Sequence, residues 1–159
     1  MVQILEETAQ FQQYVAAKDP SQIELFGAAL RQTFLDADVQ LRAFQDTGAS
    51  DRSGCTSVVA CVTPKFIICA NAGDSRCVMG TEGITKPLSE DHKPTDEGEK
   101  NRIEAAGGSV SWKRVDGDLA VSRALGDFQY KTRPDLPAEQ QKVGWGREGE
   151  GEEGEVREY

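Results

Sequence analysis

The stretch Lys65-Phe66-Ile67-Ile68-Cys69-Ala70-Asn71-Ala72-Gly73-Asp74-Ser75-Arg76-Cys77-Val78-Met79 decides how the rest of the chain is read. Phe66 to Ala70 is an apolar run of strand-favouring residues. Asn71 to Arg76 is polar, with Gly73 near its centre, and apolar character returns at Cys77 to Met79. This pattern predicts strand, tight turn, strand. A second apolar run, Val58 to Val62, lies upstream of the Thr63-Pro64 break. Runs apolar on both faces predict buried strands and not edge ones. Asp74 is therefore expected where a buried strand ends. Two readings of it stand side by side. A carboxylate fixed at a strand end suits a metal ion, and an Asp next to Gly suits an ordinary turn.

Helices are expected on both sides of this region. Val2 to Ala17 carries an imperfect apolar stripe of Ile4, Leu5, Ala9, Phe11, Tyr14 and Val15. Asp19-Pro20 ends it, and Ser21 with Glu24 forms a capping-box pattern. The next helix runs to about Gln45. Ile23, Phe26, Leu30, Phe34, Ala37, Leu41 and Phe44 step by three and four, leaving Arg31, Asp38 and Arg42 for the exposed face. Thr47 to Gly54 reads as a loop, followed by strands at about 55–62, 66–71, 75–80 and 84–88 with a Glu82-Gly83 turn. Thr95 is positioned to cap a helix with Asp96, Glu97 and Glu99 in its first turns. Gly107-Gly108 stops that helix. Asp116-Gly117 signals a hairpin between Ser109–Val115 and Asp118–Val121.

Composition narrows the function. The chain has 159 residues and a net charge of −9, which argues against binding nucleic acid through its phosphates. No apolar run reaches the ~20 residues needed to span a bilayer. Glu6 and Glu7 near the start are unlike a secretory signal. The expected location is cytoplasmic or nuclear. Cys55, Cys61, Cys69 and Cys77 form no Cys-x-x-Cys pair, so a zinc site is not expected, and free thiols are. Gly144 to Tyr159 holds six Glu and five Gly and almost nothing apolar. A tail of this kind is expected to be disordered, because it buries too little to offset its ordering entropy.

Three segments in this order resemble the metal-dependent serine/threonine protein phosphatases of the 2C type. They are Ser53-Gly54-Cys55-Thr56, Ala70-Asn71-Ala72-Gly73-Asp74-Ser75-Arg76, and the run from Arg114 through Asp116-Gly117-Asp118 to Ser122-Arg123-Ala124-Leu125-Gly126-Asp127. Asp91-His92-Lys93-Pro94 and Arg102 to Gly108 fit between them. The resemblance covers roughly Ile4 to Val143. It implies an α+β fold, an α-β-β-α sandwich of two antiparallel sheets with flanking helices, incomplete here. Residues 1–143 would form a partial phosphatase domain and 144–159 the tail.

The resemblance also implies a chemistry. The family hydrolyses phosphoserine and phosphothreonine esters of proteins with Mg²⁺ or Mn²⁺. Asp74 matches a family metal ligand, Arg123 an arginine on the substrate side, and His92 a structural loop position. No nucleophilic side chain is implied. Arg123 has a second reading as a fold-stabilising ion pair, with Asp127 as a candidate partner. The family's Asp-Gly-His-Gly, whose aspartate bridges both metals, is absent from this sequence, as are two later metal-binding aspartates. The expectation is a family member lacking the core metal site, with weak metal binding and no activity by itself. The alternatives are a non-catalytic fragment that binds phosphoproteins or partners, and a partial or mis-spliced product without its own function.

Overall fold

The computed structural model describes residues 1–45, 52–144 and 156–158, with backbone alone for Pro20 and 156–158. The first expected helix is two helices, α1 (Val2–Glu7) and α2 (Ala9–Ala17). Thr8 divides them. Its backbone is extended, and its hydroxyl donates to Leu5 O at 2.8 Å and accepts from Phe11 N at 3.3 Å. One side chain thus closes one helix and caps the next. The apolar stripe could not reveal this break, since it continues across Thr8.

The long helix α3 (Ile23–Gln45) spans the periodic stretch expected for it. Its entry differs from the capping-box expectation. Asp19 Oδ1 accepts from Ser21 N at 2.9 Å and from Ser21 Oγ at 2.8 Å, across a 3-10 turn at Pro20–Gln22. The buried face of α3 carries Ile23, Phe26, Leu30, Phe34 and Ala37. Burying the four large ones contributes roughly 6–12 kcal/mol before entropy is counted. Phe11 and Tyr14 of α2 stack at 5.4 and 5.3 Å on Phe26. Leu41 and Phe44, expected in the stripe, are exposed at 39% and 72%. Asp38, expected to be exposed, is half-buried and paired, as described below.

α3 lies on a sheet of β2 (Ser57–Val62), β3 (Phe66–Ala72) and β9 (Val156–Glu158), in the order β2-β3-β9 and antiparallel throughout. Ile68 packs with Phe26 and Leu30, and Ala72 packs with Phe34. β2 corrects an expectation. Among the described residues it is an edge strand, and Val62 is 75% exposed. Its Val59 and Cys61 pack toward α3, while Ala60 and Val62 alternate to the uncovered side. Of the expected disordered tail, 145–155 and Tyr159 lie outside the described residues, and Val156–Glu158 runs along Phe66–Ile68. Residues 47–51 of the expected Thr47–Gly54 loop are likewise outside them.

Beyond β3 the chain turns at Gly73-Asp74, as expected, but the following strand does not fold back on β3. β4 (Val78–Thr81) pairs with β5 (Ile84–Pro87) through the Glu82-Gly83 turn, in a ladder of its own. α4 (Glu97–Ala105) begins after Asp96, one residue later than the Thr95 cap predicts. Asp96 instead closes the turn before the helix, accepting Lys93 N on Oδ2 at 2.9 Å. The end of α4 matches expectation: Gly107 N donates to Glu104 O and Gly108 N to Ile103 O, both at 2.9 Å.

A turn forms at Asp116-Gly117 as expected, but the flanking strands expected at Ser109–Val115 and Asp118–Val121 reduce to one bridge, in which Val115 and Leu119 exchange backbone bonds. A second turn at Trp112-Lys113 precedes it and pairs β6 (Val110–Ser111) with β7 (Arg114–Val115). Ile103, Val115, Ala124, Tyr130 and Val143 form the core under this region. β8 (Leu125–Gly126) returns to pair with β1 (Gly54–Cys55), so Gly54 belongs to a strand and not to the loop. All named strand ladders are antiparallel, which gives a mixed fold of helices and antiparallel sheets. The four cysteines form no disulfide.

Candidate functional site

The three motif segments meet around Gly73. Gly54 pairs with Gly126 and Cys55 with Leu125, and Asp127 N donates to Ser53 O at 3.1 Å. Gly73 has φ +112°, and a Cβ there would lie 2.3 Å from Thr56 Cγ2 and 2.9 Å from Arg123 O. Glycine is required on both counts, backbone conformation and space. The Thr56 and Ser75 hydroxyls are bonded at 2.6 Å. Asn71 Nδ2 donates to Gly73 O at 3.0 Å and to Glu90 O at 2.6 Å. The Asp91-His92 segment then closes the turn. His92 N donates to Gly73 O at 3.0 Å, and Gly73 N donates to His92 Nδ1 at 3.2 Å.

His92 is thus a structural loop residue, as the sequence predicts. Burial, with the positive charge of Arg123 next, pushes its ring down to about 4. At neutral pH the ring is uncharged, with Nδ1 free to accept the Gly73 N–H.

Asp74 stands just past the end of β3. Its Oδ2 accepts from Lys93 Nζ at 2.6 Å. Lys93 Nζ also lies 3.6 Å from Asp91 Oδ2, and Asp91 Oδ1 accepts from Arg76 Nε at 2.8 Å. Asp74, Lys93, Asp91 and Arg76 therefore form a chain of alternating charge. The Arg76 hydrogen bond holds Asp91 below the usual carboxylate range. Neither sequence reading of Asp74 included this lysine partner.

Arg123 has its backbone against Gly73 and its side chain in the interior, 4% exposed. Its Nε donates to Glu99 Oε1 and Oε2 at 2.9 and 3.0 Å, and a further bond joins its other guanidinium nitrogen to Oε1. The ion-pair reading is realised, with Glu99 as the partner in place of Asp127. Glu99 also accepts from Arg102 Nη2 at 2.7 Å. Burial alone would raise the Glu99 carboxyl. The Arg123 hydrogen bond and the charges of Arg102 and Arg123 outweigh it and hold the group at about 2. Arg102 extends the network to Ser122 O at 2.8 Å, Lys142 O at 3.2 Å and Gln141 O.

A second buried ion pair joins α3 to the far end of the motif run. Lys131 Nζ lies 2.9 Å from both Asp38 oxygens and 2.8 Å from Ala124 O, and Gly126 N donates to Asp38 Oδ1 at 2.8 Å. Burial pulls Lys131 down, against the Asp38 charge.

The structure thus brings the backbones of Gly73 and Arg123 together and binds the two candidate side chains to other partners. Sequence reasoning missed Glu99, Lys93, Asp38 and Lys131. A signal existed for Glu99, which lies four residues before the fully buried Ile103 on the same face of α4. Among the described residues no group of three or more His, Cys, Asp or Glu side chains could hold a metal ion. No described helix is long and apolar enough to cross a membrane.

Residues 3–144 match the family model for protein phosphatase 2C. The chain is 50% identical over 119 residues to protein phosphatase 2C homolog 2 of Schizosaccharomyces pombe, covering 74% of this chain and 32% of the relative. It is 46% identical over 125 residues to the human probable protein phosphatase 1N, covering 79% of this chain and 29% of that one. The chain therefore spans about a third or less of the length of these curated relatives. A crystal structure of a serine-threonine phosphatase 2C from Toxoplasma gondii superposes with a TM-score of 0.74 at 22% identity, covering 99% of this chain and 56% of that one, a likeness of fold. With its motifs in order and joined in space around Gly73, the chain belongs to the protein phosphatase 2C family.

Proposed function

We propose that these residues form the structural centre of a metal-dependent phosphoserine/phosphothreonine protein phosphatase domain and do not hydrolyse phosphoesters by themselves. The family works with metal ions, which this reading takes to be Mg²⁺ or Mn²⁺. Such ions lower the pKa of bound water and shield phosphate charge, and they need several anionic oxygens in fixed geometry. The described residues do not fit that demand. The observation that carries the reading is the state of Asp74, the one residue matched to a family metal ligand: its carboxylate is closed by Lys93 at 2.6 Å. Arg123, matched to the substrate side, is likewise taken up by Glu99. The other ligands of the centre would then belong to the remainder of the relatives' length. Phosphoserine and phosphothreonine proteins are the partners of the complete domain on this reading. A separate role as a phosphoprotein-binding fragment has less support, because Arg123 is not free to receive a phosphate.

The test is hydrolysis of a phosphoserine peptide and of a chromogenic phosphate ester by the purified chain in Mn²⁺. The expected rate equals that of buffer. Manganese-dependent turnover that co-purifies with the chain through successive columns would refute the proposal.

A further inference from the structure

β2 presents a free edge that none of the usual devices protects. Thr63 N donates to Phe66 O at 2.8 Å, so these two residues form a hydrogen-bonded pair at the turn end of the β2–β3 ladder. Such pairs alternate along an antiparallel ladder. Ser57, Val59 and Cys61 therefore bond toward β3. Val58, Ala60 and Val62 direct their N–H and C=O groups to the open edge, where no described residue meets them. The same three residues place their side chains on the side of the sheet away from α3, because Val59 and Cys61 pack toward that helix. Ala60 and Val62 are exposed, Val62 at 75%. Edge strands are normally blunted by a charge, a proline or a bulge. Ser57–Val62 contains no charged residue and no proline, and its register runs unbroken from Ser57 opposite Ala72 to Val62 opposite Ile67.

We propose that this edge pairs with the same edge of a second copy of the chain, forming an antiparallel homodimer with its two-fold axis at Ala60. The register closes on itself. With Ala60 opposite Ala60 of the second copy, Val58 meets Val62 of that copy and Val62 meets its Val58. All three pairs use groups that face outward in the single chain. A slip of one residue would oppose groups that β3 already holds, and a slip of two leaves one outward residue of each strand unpaired. A row of amide and carbonyl groups is matched by another extended strand. The uncharged side chains of β2 offer nothing to a charged strand, whereas β2 of a second copy sets valine against valine. The two-fold consumes both free β2 edges, so association stops at two copies. Two strands of 6 residues make a small interface, at the weak end of specific association. The net charge of −9 on each chain opposes it while the strand itself is uncharged, so added salt strengthens the pairing. The pairing depends on neither metal nor phosphoester.

The test is sedimentation velocity of the full chain from micromolar to millimolar concentration, under reducing conditions that exclude cross-links through its cysteines. Amide hydrogen exchange along β2 is read at both ends of that range. The expected result is a monomer–dimer equilibrium with Kd on the order of 100 µM, tighter at high salt. The amides of Val58, Ala60 and Val62 should slow several-fold as the dimer forms, while those of Val59 and Cys61, already bonded to β3, change little. Ala60→Pro removes the N–H at the axis, which the β2–β3 ladder does not use, and should remain monomeric throughout. Ala60→Lys leaves the backbone unaltered and sets two ammonium groups opposite each other, so its dimer should be several-fold weaker at low salt. Circular dichroism of both variants checks that folding is retained, and the exchange pattern of the wild type needs no variant. A chain that stays monomeric at millimolar concentration overturns the proposal. Slow exchange of Val58, Ala60 and Val62 in that monomer would assign the edge to another segment of the same chain. A dimer whose protection falls outside β2, a dimer that both variants leave intact, or growth beyond two copies would each overturn it as well.

Discussion

Glu99→Gln removes one charge from the most buried part of the motif network and keeps the side chain's shape. Glu99 is 7% exposed and meets Arg123 along both carboxylate oxygens and Arg102 at 2.7 Å. Its carboxyl lies at about 2 in place of 4.5. That difference corresponds to about 3 kcal/mol of stabilisation from the ionised form. The same magnitude follows from leaving a buried guanidinium without its counter-charge, about 3–5 kcal/mol. With a urea slope of about 2 kcal/mol/M, the unfolding midpoint should fall by roughly 1.5 M. The pH dependence has a definite sign. The folded-state value is depressed, so the contribution is complete above about pH 4.5 and disappears as pH falls through about 2. Wild type should lose stability across this window, and Glu99→Gln should lack that component. Adding Arg123→Met should recover part of the loss by removing one stranded charge, while Arg102 keeps its carbonyl partners. A midpoint shift worth less than about 1 kcal/mol, or an acid slope identical to wild type, would refute the reasoning.

Two further substitutions test other joints of the same core. Gly73→Ala places a methyl 2.3 Å from Thr56 Cγ2 at φ +112°, and should cost about 2–4 kcal/mol by urea unfolding, part of it restored by Thr56→Ser. Asp38→Ala strands the buried Lys131 ammonium and should cost about 3 kcal/mol, whereas Asp38→Ala with Lys131→Met should cost clearly less. With Lys131→Met also measured alone, a double-variant loss equal to the sum of the two single losses would show by the same unfolding assay that the pair is not coupled.

The sequence disclosed what depends on short-range pattern. α3 was legible because its apolar positions recur at three and four, and those from Ile23 to Ala37 are buried. The Gly107-Gly108 stop and the Asp116-Gly117 turn were legible because glycine and aspartate tolerate positive φ. The motif segments were legible from their order, and the structure joins them through Gly54, Gly73 and Gly126. Pairings set by tertiary approach were hidden. Lys93 meets Asp74 across 19 residues, Arg123 meets Glu99 across 24, and Lys131 meets Asp38 across 93. Asp38 was assigned to solvent because periodicity sorts residues by polarity, and a paired carboxylate at the edge of a buried face looks like an exposed one. Thr8 was passed over for a related reason: a threonine that caps a helix and one that merely interrupts a stripe read alike.

The central claim is that these residues hold the family's scaffold without a self-sufficient two-metal centre. Equilibrium dialysis of the wild-type chain against micromolar Mn²⁺, with bound metal counted per chain, tests it most directly. A lone carboxylate paired to a lysine binds such an ion no more tightly than about millimolar, so the count should be close to zero. Two manganese ions retained per chain at micromolar concentration would contradict the account.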